Sequence, residues 1–480
     1  MIKNNVGGKI LKLIYNMYEN IKSCVKQGNC FSGFFSCDMG VRQGENLSPF
    51  LFSVFLADLE TFFAQNNVSG LTNITSNCQE KLRIFLIFFV LLYADDTIIL
   101  AESAADLQTS LSVFESYCSL WKLTVNIDKT KTLIFRKRKG RIEDEFKLYG
   151  SNIEIVDSYS YLGLDFNFNG KFLLARKKLA NQAQKGLYAL YGKFRNLNIP
   201  VDLQLKLFDS LIEPILLYSC EVWGFENIDI LERIHLQFLK NTLSVRTSTP
   251  NFMVYGETGR FPIDISLKLR MLNFWTKLIV NNNKLSGILY QLLLNMHNLG
   301  ECNSKWIIFV KSILDNAGLS YVWNNQIVLS KLDIKLCIKQ ILRDQFIQKW
   351  YSDIENSSRG QFYLMFKRDF GFEKYLTILK KNRRKQITLL RCCNVKFPIE
   401  TGRWNNTPRV ERYCTLCTSR QIGDEFHYLF LCQNEHIQRI RTKFIPAYYI
   451  ARPSDSKLKG ILSLCNKTVL NNDDFRSKNC

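Results

Sequence analysis

The sequence has no apolar run long enough to cross a bilayer. Its longest apolar stretch, Ile84–Ala94, is much shorter than the roughly 20 residues that a membrane-spanning helix needs, and Asp95 follows it directly. Residues 1–12 lack the apolar segment and small-residue cleavage site of a secretory signal. Repeats of solenoid period and long low-complexity linkers are also missing. These absences predict a globular chain with no membrane partner.

Negative charge is scarce. The chain has 43 Asp and Glu against 64 Lys and Arg, which gives a formal net charge of +21. So large an excess favours a polyanionic partner, nucleic acid before a membrane surface, although a basic surface kept for solubility is the alternative. The 15 cysteines are odd in number and dispersed, which predicts reduced thiols in the nucleus or cytoplasm.

The pattern of apolar residues predicts helices and strands in the first part of the chain. Ile10–Val25 and Leu107–Trp121 have helical spacing, and Leu133–Phe135 reads as a short strand. Ser48 is expected at the N-cap and Pro49 at the first position of a largely buried helix that runs through Phe63. Two strands are predicted on either side of Asp95-Asp96.

Two adjacent carboxylates between apolar strands need an explanation. Burying even one unpaired carboxylate costs several kcal/mol, so Tyr93-Ala94-Asp95-Asp96 has to lie at an exposed turn, pair with a base or bind a cation. Mg²⁺ prefers carboxylates together with substrate phosphates, which suits nucleotidyl transfer. A plain surface turn is the alternative, but the apolar frame on both sides favours the metal site.

A polar loop between two glycines precedes the helix at Pro49. In Gly40-Val41-Arg42-Gln43-Gly44 the glycines allow the backbone to approach a ligand. Arg42 and Gln43 offer hydrogen-bond donors for phosphate, sugar or base edges. An ordinary turn with a solvated arginine is the alternative.

Together these motifs resemble the reverse transcriptases of non-LTR (LINE-type) retrotransposons. The loop from Gly40 to Pro49 looks like the segment of that family that contacts template and nucleotide, and Tyr93–Asp96 looks like its catalytic hairpin. Asn126–Lys131 resembles the following lysine-bearing motif, and Tyr161–Leu164 resembles the hairpin that grips the primer end. The resemblance covers roughly residues 1–245.

The resemblance implies an α/β (α+β) polymerase palm that uses two Mg²⁺ ions with an RNA template, a DNA primer and dNTPs. Asp95 and Asp96 are the expected metal ligands, and Lys129, with Lys131 as its rival, is expected to neutralise or protonate pyrophosphate. Nucleic-acid and substrate contacts are expected from Arg42, Gln43, Gly44, Tyr93 and Gly163.

The sequence departs from the family at one carboxylate. The palm of the family has a further metal-bridging aspartate on a strand well before the Arg-Gln-Gly loop, and the only Asp before Arg42 is Asp38, beside the loop itself. We therefore expect an incomplete, N-terminally truncated palm that cannot polymerise alone, because loss of one ligand of a two-metal site should cost orders of magnitude in rate. Asp165 is the one nearby replacement, and it falls in the primer-grip hairpin.

A second metal site is predicted near the C terminus. Cys414, Cys417, His427 and Cys432 have the ligand types and spacing of a tetrahedral structural Zn²⁺ site. His436 fits less well as a ligand. The alternative is a small core of free thiols. The segment Glu425–Cys432 also resembles the C-terminal zinc knuckle of non-LTR retrotransposon proteins.

The predicted architecture is therefore a partial palm, a helical thumb and linker, and a zinc knuckle. The expected segments are 1–170 for the palm, 171–250 for the thumb, 251–390 for the linker, 391–445 for the knuckle and 446–480 for a loose tail. Basic runs at 136–141, 176–178 and 380–385 are expected to contact phosphates of a template–primer duplex. A non-catalytic RNA- or DNA-binding protein is the alternative function, and the sequence makes no prediction of oligomeric state.

Overall fold

The architecture was analysed in a computed structural model of the chain. The structure describes residues 6–37, 40–42, 44–68, 71–73, 86–88, 90–93, 96–140, 142–197, 199–458 and 460–461. The chain separates into two compact units, one of residues 1–161 and 166–170, the other of residues 162–165 and 171–480.

The first unit mixes four helices with short strands. Its helices are α1 (Gly8–Tyr18), α2 (Ser48–Phe55), α3 (Leu59–Gln65) and α4 (Ala104–Trp121). Its strands are β1 (Lys22–Ser23), β2 (Lys26–Gln27), β3 (Cys30–Phe31), β4 (Phe35–Ser36), β5 (Leu71–Asn73), β6 (Leu86–Phe88), β7 (Val90–Tyr93), β8 (Asp96–Ile99), β9 (Lys131–Leu133), β10 (Phe146–Leu148), β11 (Ser151–Val156) and β12 (Ser158–Tyr161). The following strand, β13 (Leu164–Asn167), spans the division between the units.

Helix α4 and the sheet β10-β11-β9 enclose the core that follows the acidic motif. The Ser103 hydroxyl caps α4 by accepting a hydrogen bond from the Asp106 amide at 3.1 Å, as expected for a serine at an N-cap. Strand β11 pairs antiparallel with β10 and parallel with β9. The buried side chains of this cluster are Leu111, Phe146, Leu148 and Ile153. The helix predicted at Leu107–Trp121 is thus confirmed, whereas the strand predicted at Leu133–Phe135 ends at Leu133.

The expected long helix after the glycine loop is two helices. Helix α2 ends at Phe55 and α3 starts at Leu59, so the prediction of one helix through Phe63 was wrong. Phe50 is also exposed, and the helix is less buried than its composition indicated. Ser48 is the first helical residue, and Leu47 occupies the N-cap position. The Ser48 hydroxyl does not cap the helix but donates a hydrogen bond to the Arg42 carbonyl at 2.5 Å.

The N-terminal helix is shorter than its apolar spacing predicted. Helix α1 ends at Tyr18, and the chain continues into the short antiparallel pairs β1–β4 and β2–β3. Asn20, which follows α1, has a positive φ of 59°. A left-handed residue stops helix propagation, and it explains why the predicted Ile10–Val25 helix is interrupted.

The second unit is almost entirely helical. Its helices are α5 (Leu173–Asn196), α6 (Val201–Leu211), α7 (Glu213–Leu216), α8 (Cys220–Trp223), α9 (Asp229–Leu243), α10 (Asn251–Thr258), α11 (Ile263–Val280), α12 (Leu285–Asn298), α13 (Lys305–Asn316), α14 (Ser320–Asn324), α15 (Lys331–Asp333), α16 (Lys339–Glu355), α17 (Gly360–Leu364), α18 (Tyr375–Ile378), α19 (Lys381–Arg391), α20 (Pro398–Trp404), α21 (Glu435–Phe444) and α22 (Ala447–Ile450). Ile334–Ile338 and His427–Leu431 are π-helical, and Arg409–Glu411 is a 3₁₀ turn.

A buried ion pair joins α10 to α19. The Arg391 guanidinium donates to both Glu257 carboxylate oxygens at 2.8 and 2.9 Å, and to Glu373 at 3.1 Å. Arg391 and Glu257 are almost fully buried. Since an unpaired buried charge is very costly, this network ties the middle of the unit to the chain that leads into Cys392 and Cys393. Both of these thiols are buried, as a core role predicts.

The predicted order of a mixed α/β part followed by a mostly helical part is confirmed. The incompleteness of the palm and the finer division of the second unit into thumb, linker and knuckle stay predictions.

Candidate functional site

The acidic motif lies at the end of an antiparallel hairpin. Strands β7 and β8 pair in a register that ends with Tyr93 opposite Asp96. Ala94 and Asp95 connect the two strands and lie outside the described residues. Asp96 is exposed, and in the described part of the chain no hydrogen bond or ion pair engages its carboxylate. The predicted strand–turn–strand frame is therefore confirmed, while the metal role of Asp95 and Asp96 stays a prediction.

The Arg42 loop is organised by glycines and by one ion pair. Gly40 and Gly44 have φ values of +85° and +90°, a left-handed region that favours glycine. The Arg42 guanidinium donates to Glu45 Oε1 and to the Met17 carbonyl, both at 2.7 Å. Two of the five N–H donors of Arg42 are therefore engaged, and a phosphate or base contact would use the remaining donors or displace the Glu45 carboxylate. Gln43, the other predicted donor, lies outside the described residues.

The two candidate lysines, Lys129 and Lys131, differ in their ion pairing. The Lys131 ammonium lies 2.8 Å from Glu154 Oε2 on the neighbouring strand of the sheet. Lys129 is exposed in the turn before β9, and its amide is held by the Asn126 side chain at 3.1 Å. Because Lys131 already has a carboxylate partner, Lys129 is the better placed of the two to meet an anionic ligand.

The predicted primer-grip turn is tight and glycine-dependent. Leu162 and Gly163 both have positive φ, 48° and 79°, the pattern of a type I′ turn. The Tyr218 hydroxyl donates to the Leu162 carbonyl at 2.7 Å. A Cβ atom at Gly163 would lie 3.4 Å from the Tyr218 ring. A side chain at 163 would thus be strained by its backbone, and its Cβ atom would be in ordinary contact with the Tyr218 ring.

The four predicted zinc ligands converge. The ligand atoms of Cys414, Cys417, His427 and Cys432 all lie within 4.8 Å of one another. Cys414 Sγ is 3.9 Å from Cys432 Sγ, and Cys417 Sγ is 3.4 Å from His427 Nε2. The edges of a tetrahedron with zinc–sulfur bonds of about 2.3 Å measure roughly 3.7 Å. The donor set and its spacing therefore fit Zn²⁺.

A π-helical turn brings the last two ligands together. The Cys432 amide donates to the His427 carbonyl five residues earlier at 2.8 Å. Residues five apart in an α-helix point about 140° away from each other, and the wider π turn reduces that angle. The π-helical segment His427–Leu431 therefore brings His427 and Cys432 toward the same side of the turn. His436 is exposed on α21 and is not part of the cluster.

Partners outside the cluster orient its ligands. His427 Nδ1 lies 3.1 Å from Gln421 Oε1, so a proton on Nδ1 leaves the Nε2 lone pair facing the thiols. Arg441 donates to the Cys432 carbonyl at 2.9 Å. A hydrogen bond with Ser419 lowers the pKa of Cys417 to about 6, and burial raises the pKa of Cys432 to about 11. Sequence reasoning missed Gln421 and Arg441, since their types carry no metal-ligand signal.

Some of the predicted phosphate contacts are occupied by acidic side chains. Arg136 and Lys139 both bind Asp157, at 2.6 and 2.5 Å. These two cations hold the pKa of the Asp157 carboxyl below its ordinary value, and Lys139 makes the larger contribution. Arg136 and Lys139 are thus engaged by an acidic side chain, and phosphate contact by the run 136–141 stays a prediction.

The second basic run is also largely paired. Arg176 is buried against Glu226, and the Lys178 ammonium lies 2.5 Å from Asp165. Lys177 is the exposed member of this run. The pairing of Asp165 with Lys178 also weakens the interpretation of Asp165 as a replacement metal ligand.

The four-ligand cluster is the one group of metal-ligand side chains that the described ranges bring together. No group of three or more His, Cys, Asp or Glu residues in those ranges includes Asp96. Nor does a hydrogen bond or ion pair join Arg42, Asp96 and Lys129 there. No described helix combines the length and hydropathy needed to traverse a bilayer.

Residues 8–166 match the family model described as reverse transcriptase (RNA-dependent DNA polymerase). The chain is 26% identical over 250 residues to the RNA-directed DNA polymerase from the mobile element jockey of Drosophila funebris. It is also 26% identical over 225 residues to the jockey polymerase of Drosophila melanogaster. A third relative is the retrovirus-related Pol polyprotein from the type-2 retrotransposable element R2DM of Drosophila melanogaster, 25% identical over 166 residues.

These matches cover part of each protein. They span 50%, 45% and 33% of this chain, and 24%, 22% and 15% of the three relatives in the same order. The chain thus spans about a quarter of the length of the two jockey polymerases. The matched family region contains both the hairpin of Tyr93 and Asp96 and the Arg42 loop.

Proposed function

Since residues 8–166 match the reverse transcriptase family model and the chain is similar to polymerases of the mobile element jockey, we propose that it carries a reverse transcriptase domain of the non-LTR retrotransposon type. This domain binds an RNA template with a DNA primer for RNA-directed DNA synthesis. The observation that carries the proposal is the hairpin within the matched region, in which Tyr93 pairs with Asp96. A turn of this kind presents acidic oxygens at one exposed point, where a hard cation can join them to a triphosphate.

Asp95 and Asp96 are the proposed ligands of the two Mg²⁺ ions. Bound there, the ions supply an activated primer 3′-oxygen and neutralise charge on the triphosphate. Asp96 fits this role because its carboxylate is exposed and unengaged in the described part of the chain. Lys129 is the proposed cation for the departing pyrophosphate, since Lys131 is paired with Glu154.

The remaining predicted contacts concern template, primer and nucleotide. We assign Arg42, Gln43 and Gly44 to the template and the incoming nucleotide, Tyr93 to the nucleotide, and Gly163 to the primer end. The tight turn at Gly163 supports the proposed contact with the primer end, because the hydrogen bond from the Tyr218 hydroxyl to the Leu162 carbonyl fixes the turn. Displacement of Glu45 would free Arg42 for a phosphate.

We propose that this chain by itself binds template and primer but incorporates few nucleotides. A site for two Mg²⁺ ions draws on more carboxylates than the Asp95–Asp96 pair. Of the other aspartates near these motifs, Asp38 lies beside the Arg42 loop in the sequence, and Asp165 is engaged by Lys178. Incomplete ligation leaves metal, primer and triphosphate poorly aligned, which costs orders of magnitude in rate.

Primer extension by the purified full chain tests both statements. The assay uses an RNA template, a labelled DNA primer, dNTPs and Mg²⁺, with Asp96→Asn as the site variant and the exposed Asp128→Asn as its matched control. We expect the RNA–DNA duplex to bind without extension of the primer. Extension that is lost in Asp96→Asn but kept in Asp128→Asn would refute the predicted inactivity and support the polymerase role. Failure to bind the duplex would refute the proposed function.

A non-catalytic RNA- or DNA-binding role is the second candidate. Helix α5 favours it, because none of its 24 residues is Asp or Glu. Lys177, Lys185 and Lys193 are exposed along this helix, and exposed cations of this kind bind phosphates with a strong dependence on salt. Salt-sensitive binding of nucleic acid that is indifferent to Asp96→Asn would favour this role.

The C-terminal cluster is proposed to hold Zn²⁺. Cys414, Cys417, His427 and Cys432 leave no open coordination position, and such closed sites are structural. The metal would hold the turn at Cys414 against the π turn at His427, which supports folding. The proposed polymerase and nucleic-acid-binding activities require RNA and dNTPs, so we place the protein in the nucleus or the cytoplasm.

A further inference from the structure

An arginine lies over the ring of a half-exposed tryptophan in the helical unit. Arg246 Cζ is 4.3 Å from the centre of the Trp404 ring. Trp404 ends helix α20 and remains 51% exposed. A guanidinium over an indole is the favourable geometry of a cation–π contact. We call these two residues the arginine–tryptophan pair.

The loop that carries Arg246 is held in place by the second unit. The Arg246 amide and the Thr249 hydroxyl both donate to Asn394 Oδ1 at 3.0 Å. The Lys240 ammonium donates to the Thr247 carbonyl at 2.7 Å. Asn394 and Thr249 are buried, so the loop position is determined by interior contacts. The contact between Arg246 and Trp404 is thus formed by the protein alone, without a ligand.

The guanidinium donors of Arg246 have no acceptor among the described residues. Across the described ranges no carboxylate or carbonyl accepts a hydrogen bond from its guanidinium. A guanidinium has five N–H donors in a planar fork that matches a phosphate. The pair therefore combines an uncommitted phosphate-binding group with an exposed aromatic ring.

The surroundings of Trp404 are positively charged. Glu400 binds two arginines, Arg359 at 2.7 Å and Arg403 at 3.3 Å. Arg412 lies against Gly402, where a Cβ atom would be 2.6 Å from its Cγ, and it donates to backbone carbonyls rather than to an acid. With Arg246 the local set has four guanidiniums against three nearby carboxylates, Glu400, Asp424 and Glu425.

We infer that Arg246 and Trp404 form a binding site for one nucleotide of a single-stranded nucleic acid. The base stacks on the exposed indole, and the adjacent phosphate binds the Arg246 guanidinium. Bases in a duplex are already stacked on their neighbours, so a single strand is the form that offers a free π-face. The inference relies on the proposed function only for nucleic acid as the polyanion, and it is independent of polymerisation.

Fluorescence anisotropy with the full zinc-loaded chain tests the role of the indole. The probes are a labelled 20-nucleotide RNA, the same sequence as DNA, and the corresponding DNA duplex. We expect Trp404→Ala to weaken binding of the single strands about 5- to 150-fold, the usual range for loss of one stacked base, with little effect on the duplex. Trp404→Phe should recover most of the affinity, because a smaller aromatic ring still stacks.

Tyr448 and Lys457 provide the matched control. Tyr448 is 70% exposed beneath the Lys457 ammonium at 4.6 Å, but that ammonium already donates to two backbone carbonyls. Tyr448→Ala is therefore expected to leave all three affinities unchanged. Equal losses in Trp404→Ala and Tyr448→Ala, or no loss in either, would overturn the inference.

The phosphate contact has its own measurement. Arg246→Ala should reduce the slope of log affinity against log salt by about 0.7 for single strands, the value for one lost phosphate contact. Arg246→Lys should keep the slope but bind more weakly, because lysine lacks the planar fork. An effect of Arg246→Ala without any effect of Trp404→Ala would indicate phosphate binding alone and refute the nucleotide site. If the RNA and DNA single strands respond alike, the base is the shared determinant.

The outcomes also separate this inference from the proposed function. Wild-type chain that binds single strands and duplex, with Trp404→Ala unchanged on both, refutes only the nucleotide site. Wild-type chain that binds none of the probes refutes the proposed function as well. Melting temperatures of the variants should match the wild type, since the Trp404 side chain is half exposed.

Discussion

His427 Nε2 lies 3.4 Å from Cys417 Sγ, although the two residues belong to different turns of the chain. Gln421 on the opposite side of the imidazole explains this orientation, since it occupies Nδ1. The pairing gives the cluster one nitrogen donor and three sulfur donors on a common centre. It is this convergence, more than the spacing in the sequence, that supports a structural metal.

Replacement of one ligand should remove the metal and unfold the knuckle. We expect Cys432→Ser to reduce the zinc content from one ion per chain to nearly none, because three remaining ligands bind Zn²⁺ far more weakly. Elemental analysis of the dialysed protein measures this. Cys337→Ser, which changes an exposed cysteine outside the cluster, should retain one ion. Equal zinc content in both variants would contradict the site.

The buried pair of Arg391 and Glu257 should be one of the most costly to break. Arg391→Ala leaves the Glu257 carboxylate buried without its partner, which typically costs about 3–5 kcal/mol. The free energy of unfolding in urea, followed by circular dichroism, provides the measurement. Arg383→Ala, on the exposed side of the same helix α19, should change it by less than about 0.5 kcal/mol. Similar losses in the two variants would mean that the ion pair contributes nothing specific.

Two glycine substitutions should have opposite effects on stability. Gly163→Ala places a side chain at a φ of +79° and 3.4 Å from Tyr218, so we expect a loss of about 1–2 kcal/mol. Gly192→Ala lies within helix α5 with open space around it and should stabilise the fold by about 0.5–1 kcal/mol. Thermal unfolding of both variants distinguishes them. A stabilising Gly163→Ala would show that the turn does not need its left-handed conformation.

Loss of the Asp157 carboxylate should strengthen binding of RNA. Asp157→Asn frees Arg136 and Lys139 for phosphates, and we expect a several-fold gain in affinity and a steeper dependence on salt. Filter binding at several salt concentrations measures the slope. Asp264→Asn makes the same change in net charge on helix α11, where Asp264 pairs with Lys268, and should have a smaller effect. Equal gains would attribute the effect to total charge, not to these two cations.

The ion pairs of Asp157 with Lys139 and Arg136 also predict how stability depends on pH. Because Lys139 and Arg136 lower the pKa of Asp157 in the folded state, the pair contributes stability above the ordinary carboxyl pKa. This contribution is lost as the pH falls through the lowered value. The acid limb of the stability profile should therefore be shallower in Asp157→Asn than in the wild type.

Local patterns were sufficient for several elements of the site. The apolar residues on both sides of Asp95-Asp96 predicted the β7–β8 hairpin, and the spacing of the cysteines and His427 predicted their convergence. These features depend on residues close in sequence, whose side-chain periodicity and turn geometry follow from the backbone.

Only the tertiary structure decided which charged groups are available. The sequence by itself indicated a resemblance to reverse transcriptases, a strongly basic chain and four candidate zinc ligands, because each of these signals lies in short motifs or in composition. It could not show that Lys131 is paired with Glu154, that Arg136 belongs to Asp157, or that Arg246 lies on Trp404. Each of those partners comes from a distant segment, and the energy of a charge depends on its nearest neighbours in space and on burial rather than on position in the chain.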